Sequence, residues 1–238
     1  MNSHLPGSTA VPNSDAEKQQ RLASLLRKDG QLLQIIDAAL EDAARRAREH
    51  LACRPGCTQC CHGAFALDAL DALRLRETMT SMRKSAPERA ARLETRARGY
   101  IAEYGASFPG DAVRGILGDS EEDAAAFEDF ANEAACPALD PATGLCEVYE
   151  ARPMTCRVFG PPVLQNAEDD DAAAYSVCEL CFTEASAETI AACAMTVPVA
   201  EEEALLGELQ AAQQEGPGAM SGDTIVAYCL IGPDLLPQ

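Results

Sequence analysis

The sequence predicts a mainly α-helical protein that contains one irregular, cysteine-rich region. Hydrophobic residues make up 47% of the 238-residue chain, but aromatic residues contribute only 5% and tryptophan is absent. The core must therefore depend on aliphatic side chains, and the abundant Ala, Leu, Glu and Arg favour helix. The segment 136–181 departs from this pattern because it mixes Pro, Gly and Cys with few helix signals. We therefore expect helices around a loop-rich region that bound metal could order.

The spacing of apolar residues predicts the helices in order. The first should begin at Ser14, break or bend near Gly30 because glycine weakens helices, and resume through Ala52. In its second half Leu32 and Ile36 recur at helical spacing, which indicates a face that packs on another helix. The later helices are expected over 66–83, from Pro87 to about Tyr104, as a short helix inside the loop 108–123, from Glu121 to about Ala134, and over 185–194 and 200–214.

The length allows one large domain or two small ones, and the hydrophobic content suffices for a buried core. We expect a disordered N-terminal tail over 1–13 and a single cysteine-cluster domain over 14–238, with cysteine-rich blocks at 53–62 and 136–159. The N-terminal segment lacks the pattern of a secretory signal, and no apolar run approaches the ~18 residues that span a bilayer. These features predict a cytoplasmic protein without a membrane partner.

The net charge of −19 bears on the partners of the protein. An acidic surface repels phosphate backbones, so we expect no nucleic-acid partner. Arg89, Arg92 and Arg96 recur three and four residues apart and should share a helical face, which we interpret as a solvated face interleaved with glutamates. With three histidines and no glycine-rich fingerprint after a strand, the chain shows no sign of serine hydrolysis or hydride transfer.

The most specific feature is the number and spacing of the cysteines. Four of the eleven lie in the stretch "CRPGCTQCC" at 53–61. An odd number of cysteines in a reducing compartment argues against a disulfide framework and favours metal or cluster binding. Thiolates select zinc, copper(I) or iron–sulfur clusters over magnesium and calcium. Zinc and a four-iron cluster each usually take four such ligands.

Nine cysteines are candidate metal ligands. Two C-x-x-C pairs, at 57–60 and 178–181, have a spacing that lets two thiolates reach one ion from a tight turn. Nine thiols are enough for one centre with spares or for two centres, and the choice between zinc and an iron–sulfur cluster stays open. Cys193 and Cys229 stand apart in more helical or apolar surroundings. The candidate ligands are Cys53, Cys57, Cys60, Cys61, Cys136, Cys146, Cys156, Cys178 and Cys181.

Three details qualify this ligand set. Cys60 and Cys61 are peptide neighbours whose side chains tend to diverge, so at most one should be an easy ligand for any single ion. Four thiolates around a divalent ion leave a net negative charge, and Arg152 and Arg157 in "RPMTCRVF" are candidates for compensating it. His62 is expected to cap or pack rather than to bind metal.

The spacing Cys53-x3-Cys57-x2-Cys60 also matches the cysteines by which radical S-adenosylmethionine enzymes hold a four-iron cluster. Those enzymes place the cysteines after the first strand of a parallel barrel and usually have an aromatic residue before the third cysteine. Here a predicted helix precedes them and Gln59 takes that position, which argues against this class of enzyme.

Ordered features in the two separated blocks carry a family resemblance. They are the adjacent Cys60 and Cys61, Cys136-Pro137, Gly144-x-Cys146, Tyr149, Arg152-Pro153 and Cys156-Arg157-x-Phe159. These features resemble the signature of the YkgJ-type cysteine-cluster family, which is described by its CxxCxxCC motif as a zinc- or iron-chelating domain. They cover about a third of the chain directly.

The resemblance implies a metal-binding protein that holds zinc or iron, for example as a 4Fe-4S cluster, through thiolates from both blocks, with no assigned biochemical role. Cys53 occupies the opening position of the motif with one extra intervening residue, and Cys178 and Cys181 resemble a C-terminal pair of the family. It also implies the motif cysteines Cys57, Cys60, Cys61, Cys136, Cys146 and Cys156.

An enzymatic alternative comes from the related flagellin lysine N-methylases, which share the cysteine pattern. It is a cluster-dependent methylation of protein lysines with S-adenosylmethionine, in which an arginine or Tyr149 would orient the substrate. A third hypothesis is a module that stores or delivers metal. The sequence identifies neither a protein substrate nor a metal-delivery partner, and it does not indicate the oligomeric state.

Overall fold

The computed structural model describes residues 15–164, 175–213 and 222–231. These residues form eight α-helices and three two-stranded antiparallel hairpins, so the predicted mainly α class with an irregular cysteine-rich region is confirmed. Within these ranges no helix combines the length and the apolar character that crossing a bilayer requires. The predicted tail over 1–13 lies outside the described residues.

The first helix, α1, runs without interruption over Asp15–Ala47, so the predicted break near Gly30 is wrong. Glycine costs about 1 kcal/mol of helix propensity relative to alanine. The buried residues Leu25 and Leu32 on either side hold the helix against the core, and this packing outweighs the local penalty. A 3-10 turn over Arg48–His50 then leads the chain into the first cysteine block.

The main core forms around a helical hairpin of α2 (Ala69–Ser85) and α3 (Pro87–Tyr104), close to the predicted bounds. Asp68 caps α2 by accepting hydrogen bonds from two backbone N–H groups at 2.8 Å. The short helix α8 (Val226–Leu230) packs on both helices and is buried along its whole length. Side chains with almost no exposure in this core include Leu67, Leu75, Met79, Leu93, Tyr228 and Leu230.

A second core lies between α1 and α7 (Val199–Gln213), with α2 beside them. Leu32 and Ile36 of α1 meet Leu205 and Leu209 of α7, so the apolar face predicted for α1 has its partner helix. α6 (Ala187–Cys193) also packs on α1. The helices predicted over 185–194 and 200–214 agree with α6 and α7 to within two residues at each end.

The loop after α3 contains a hairpin, not the predicted short helix. β1 (Gly110–Asp111) pairs with β2 (Ile116–Leu117) in antiparallel register. Gly115 adopts φ +67°, and a Cβ there would lie 2.2 Å from the Tyr228 side chain. The chain therefore turns at Gly115 because only glycine allows the aromatic ring to cover the backbone.

The helix predicted from Glu121 to about Ala134 is shorter than expected. α4 covers Glu121–Glu128, and Ala131 then adopts φ +53°, which no helix continues through. The residues after Ala131 turn back to the first cysteine block. The backbone pairing of residues 134–136 with residues 61–63 therefore replaces the last turns of the predicted helix.

The cysteine-rich region consists of short elements joined by turns. β3 (Leu139–Asp140) pairs with β4 (Leu145–Cys146), and α5 (Met154–Val158) follows. β5 (Val163–Leu164) then pairs with β6 (Tyr175–Ser176). Elements this short bury little apolar surface of their own, so their order depends on what they pack against.

A buried ion triad joins α1, α2 and the start of α5. The Arg74 guanidinium donates hydrogen bonds to Asp29 at 2.6 and 2.9 Å and to Asp71, and all three side chains are almost fully buried. Asp71 also accepts hydrogen bonds from the backbone N–H of Met154 at 3.0 and 3.1 Å. One cation therefore serves two buried carboxylates and helps to fix α5.

Replacing Arg74 with methionine should destabilise the protein by about 3–5 kcal/mol, because two buried carboxylates lose their cation. Urea denaturation of the metal-loaded protein measures this loss. The matched control is Arg45→Met, which removes an exposed pair with Asp42 and should change stability little. A loss below about 1 kcal/mol for Arg74→Met would contradict the buried triad.

Glu202 adds a further carboxylate beside this triad. Burial, and then the negative charges of Asp68 and Asp71, raise the pKa of Glu202 to about 7. Burial also raises the pKa of Asp71 to about 6, in spite of Arg74. In both cases the folded state holds protons that the unfolded state has released, so the free energy of unfolding falls as pH rises toward 7.

Glu202→Gln should therefore stabilise the protein at pH 8 by roughly 1 kcal/mol, after allowance for solvent screening, and leave it nearly unchanged at pH 4.5. Denaturant titrations at both pH values measure the difference. Glu203→Gln, at an exposed neighbouring position, is the control and should show no such pH dependence. Equal effects of Glu202→Gln at both pH values would contradict the raised pKa.

Candidate metal centre

The two cysteine blocks lie side by side through backbone pairing. The N–H of Cys136 donates to the carbonyl of Cys61 at 2.7 Å, and the N–H of Gly63 donates to the carbonyl of Ala134 at 3.0 Å. His62 and Ala135 form an antiparallel bridge between these two bonds. The hairpin of α2 and α3 lies between the blocks in the sequence and returns the chain to this junction.

Five thiols gather around the junction and form what we call the five-thiol cluster. They come from the 3-10 turn Gln59–Cys61, the bridge, β4 and α5. The thiol of Cys61 donates a hydrogen bond to the sulfur of Cys60 and lies within electrostatic range of Cys136 and Cys146. The members are Cys60, Cys61, Cys136, Cys146 and Cys156.

Burial and hydrogen bonding distribute the protons of this cluster unevenly. The hydrogen bond from Cys61, together with the charge of Arg152, lowers the pKa of Cys60 to about 6. The same hydrogen bond raises the pKa of Cys61. Burial raises the pKa of Cys136 to about 12 and raises that of Cys156 as well. One thiolate is therefore available at neutral pH, and a metal would have to displace the other protons.

Backbone N–H groups near the sulfurs of this cluster favour the thiolate form. Hydrogen bonding by the N–H groups of Ala138 and Leu139 lowers the pKa of Cys136, and that by Val148 lowers the pKa of Cys146, against the larger effect of burial. Hydrogen bonds of this kind stabilise metal-bound thiolates and tune the potentials of iron–sulfur clusters. The donor set and its backbone partners therefore fit a thiolate-bound zinc or iron centre.

The other four candidate thiols form a separate group, which we call the four-thiol cluster. Cys53 and Cys181 share a hydrogen bond, as do Cys178 and Cys181. Cys57 lies within electrostatic range of Cys53 and Cys178. The members are Cys53, Cys57, Cys178 and Cys181.

The structure divides the first block in a way that its spacing did not predict. Cys57 acts electrostatically on Cys53 and Cys178, whereas Cys60 acts on Cys61 and Cys156, with the 3-10 turn Gln59–Cys61 between the two groups. That Cys57 and Cys60 reach one ion as a C-x-x-C pair stays a prediction. The adjacent Cys60 and Cys61 enter the same cluster.

His62 and the two cysteines outside the candidate ligand set, Cys193 and Cys229, do not join either cluster. His62 is exposed and its Nδ1 lies 3.0 Å from the carbonyl of Thr58, which agrees with a capping role. Cys229 is buried in the main core, and Cys193 packs beneath the four-thiol cluster. Among the described residues, no three Cys, His, Asp or Glu side chains close on one point as the ligands of an ion do.

Arg152 and Arg157, which were both expected to compensate the charge of the metal site, have different roles. Arg152 acts electrostatically on Cys60 and Cys146, and its guanidinium stacks 4.0 Å above the ring of Tyr149. Arg157 is 1% exposed and donates instead to Asp37 at 2.6 and 2.7 Å and to the carbonyl of Glu150. It therefore fixes α5 to α1.

The face of Arg89, Arg92 and Arg96 is solvated at Arg89 and Arg92, as expected, but it also has an acidic partner outside the helix. All three arginines converge on the Glu147 carboxylate, next to Cys146. Arg96 also donates to the carbonyl of Pro137 at 2.8 Å. Sequence reasoning missed Glu147, although three arginines on one helical face signal that an acidic partner is needed.

Comparison with known proteins agrees with the chemistry of the two clusters. Residues 52–181, more than half of the chain, match the family model CxxCxxCC, described as "Putative zinc- or iron-chelating domain". No curated protein and no solved structure matches the chain. The match includes all nine candidate thiols, and the chain belongs to the CxxCxxCC zinc- or iron-chelating family.

Proposed function

We propose that the five-thiol cluster is a metal centre in which thiolates from both cysteine blocks bind zinc or an iron–sulfur cluster. The observation that carries this proposal is the 2.7 Å hydrogen bond between the backbones of Cys61 and Cys136. This bond brings together cysteines that are far apart in sequence. Their thiolates are the soft ligands that zinc and iron–sulfur clusters prefer.

The metal would stabilise the region that contains its ligands. β3, β4 and α5 are too short to order themselves; two of the five thiols, Cys146 and Cys156, lie on them, and Cys136 lies just before β3. Because the thiols are gathered but no three of them close on one point, we expect metal binding to tighten the cluster. The metal thereby contributes its binding free energy to the folding of the loop.

Positive charge near the cluster supports the same proposal. Arg96 acts electrostatically on Cys136, and Arg89 and Arg152 act on Cys146. A protein of net charge −19 needs such local compensation to hold several thiolates together. The arginine face of α3 therefore both holds the loop and offsets the charge of the centre.

Methyl transfer to protein lysines stays a prediction of the family resemblance. It would require a site for S-adenosylmethionine, and no contact among the described residues specifically favours one. A role in metal delivery would likewise need a partner. We therefore base the proposal on metal binding alone.

Anaerobic purification followed by metal analysis and visible absorption tests the proposal. A colourless protein with zinc identifies a zinc centre, whereas a brown protein with iron and sulfide identifies a cluster. Cys136→Ser and Cys156→Ser should each lower the metal content per chain. Cys229→Ser, a buried cysteine of the main core, is the control and should retain the metal. Full retention in the first two variants would refute the ligand set.

Removing the positive charge of Arg96, which pairs with Glu147 beside Cys146, should weaken metal retention. Arg96→Met should increase the rate of metal transfer to a chelator roughly tenfold, because outer partners of metal ligands typically change affinity by this order. Arg98→Met is the matched control, since the exposed Arg98 side chain pairs with Glu94 of its own helix at 3.5 Å and not with the loop. Equal transfer rates for the two folded variants would show that Arg96 does not support the centre.

A further inference from the structure

The exposed apolar side chains of the protein concentrate in its cysteine-rich region. Eight large hydrophobic side chains are strongly exposed among the described residues, and five of them lie between positions 145 and 180. Two of the five, Leu145 and Tyr149, lie two residues on either side of Glu147, and each is about half exposed. Single exposed apolar residues are common, but a group of them on one short segment is typical of an interaction surface.

Exposed arginines border these two side chains. Arg89 and Arg92 of α3 lie 3.4 and 3.6 Å from the same carboxylate oxygen of Glu147, and their side chains are 45% and 59% exposed. The Glu147 side chain is only 11% exposed, because Arg96 also pairs with it. The protein therefore presents the arginines to solvent and keeps the glutamate beneath them.

Arg92 keeps hydrogen-bonding capacity for another molecule. Its contact with Glu147 is longer than a hydrogen bond, whereas Arg89 donates to the backbone carbonyl of Glu147. Asp140 also attracts Arg92, but its carboxylate accepts hydrogen bonds within its own turn. A guanidinium presents five N–H donors in a planar fork that matches a carboxylate. The exposed edge of Arg92 therefore suits a carboxylate from outside the chain.

The charge around these side chains is positive although the chain as a whole is acidic. Residues 83–98 and 139–152 together carry seven basic and five acidic side chains, whereas the whole chain has a net charge of −19. Arg152 is one of the seven, and its guanidinium stacks 4.0 Å from the centre of the Tyr149 ring. This region therefore attracts negatively charged groups that the rest of the protein repels.

We propose that Arg89, Arg92, Leu145 and Tyr149 form a docking surface for a segment of another protein that carries carboxylates beside an apolar side chain. The arginines pair with the carboxylates, and the leucine and tyrosine contact the apolar side chain. Tyrosine and arginine are among the residues that contribute most to binding at protein interfaces. Repulsion by the acidic remainder of the chain favours this surface over others. The inference goes beyond metal binding and does not depend on it.

A fluorescein-labelled peptide of alternating glutamate and leucine tests the proposal by fluorescence anisotropy, with the full-length protein as purified. The peptide should bind, and Arg92→Gln/Leu145→Gln should weaken its affinity about tenfold, because the variant loses an exposed ion pair and an apolar contact. The same substitutions at exposed positions outside the docking surface, Arg98→Gln/Val113→Gln, are the matched control and should leave the affinity unchanged. Absence of binding, or equal losses in the two folded variants, would overturn the docking surface.

Measurements on the unmodified chain do not depend on the folding of variants. A peptide with glutamine in place of each glutamate should bind about tenfold more weakly. The affinity for the glutamate peptide should also fall as NaCl is raised from about 0.05 to 0.3 M, because salt screens exposed charges. Equal affinity for the two peptides would contradict the proposal. Binding to phosphatidylserine vesicles without binding to the peptide, or a dimer that Arg92→Gln/Leu145→Gln dissociates, would also overturn it, because a membrane or a second copy would then occupy the surface.

Discussion

The backbone pairing of Cys61 with Cys136 is the contact on which the candidate metal centre depends. The pairing constrains the path of the chain between the two blocks, because α2 and α3 lead away from the first block and the chain must return to the same place. α4 ends early to allow the return, and the positive φ of Ala131 marks the point at which it does. The helices between the two cysteine blocks therefore bring the blocks together at this pairing.

The same frame positions the last of the five thiols through charge. Asp71 of α2 pairs with Arg74 and also accepts the backbone N–H of Met154, at the start of the helix that carries Cys156. Arg157 fixes the other side of this helix to α1 through Asp37. A helix of five residues has little stability of its own, so these buried bonds determine where its cysteine lies.

Dividing nine thiols into groups of five and four gives each group its own segments of chain. The four-thiol cluster lies between the end of α1 and the turn before α6, and the five-thiol cluster lies beside the loop between β3 and α5. Cys181 of the four-thiol cluster accepts a backbone N–H bond at sulfur, whereas Arg89, Arg96 and Arg152 lie near the five-thiol cluster. The two clusters therefore differ in electrostatic surroundings as well as in the number of thiols.

The sequence by itself determined the helical class, most helix bounds, the candidate thiols and their preference for zinc or iron. These follow from periodicity, capping residues and ligand chemistry, which act over a few neighbouring residues. Only the tertiary structure decided that the backbones of Cys61 and Cys136 pair, that α1 continues through Gly30, and that the arginine face of α3 meets Glu147. These outcomes depend on contacts between distant segments, whose energies outweigh local preference and leave no signal in local spacing.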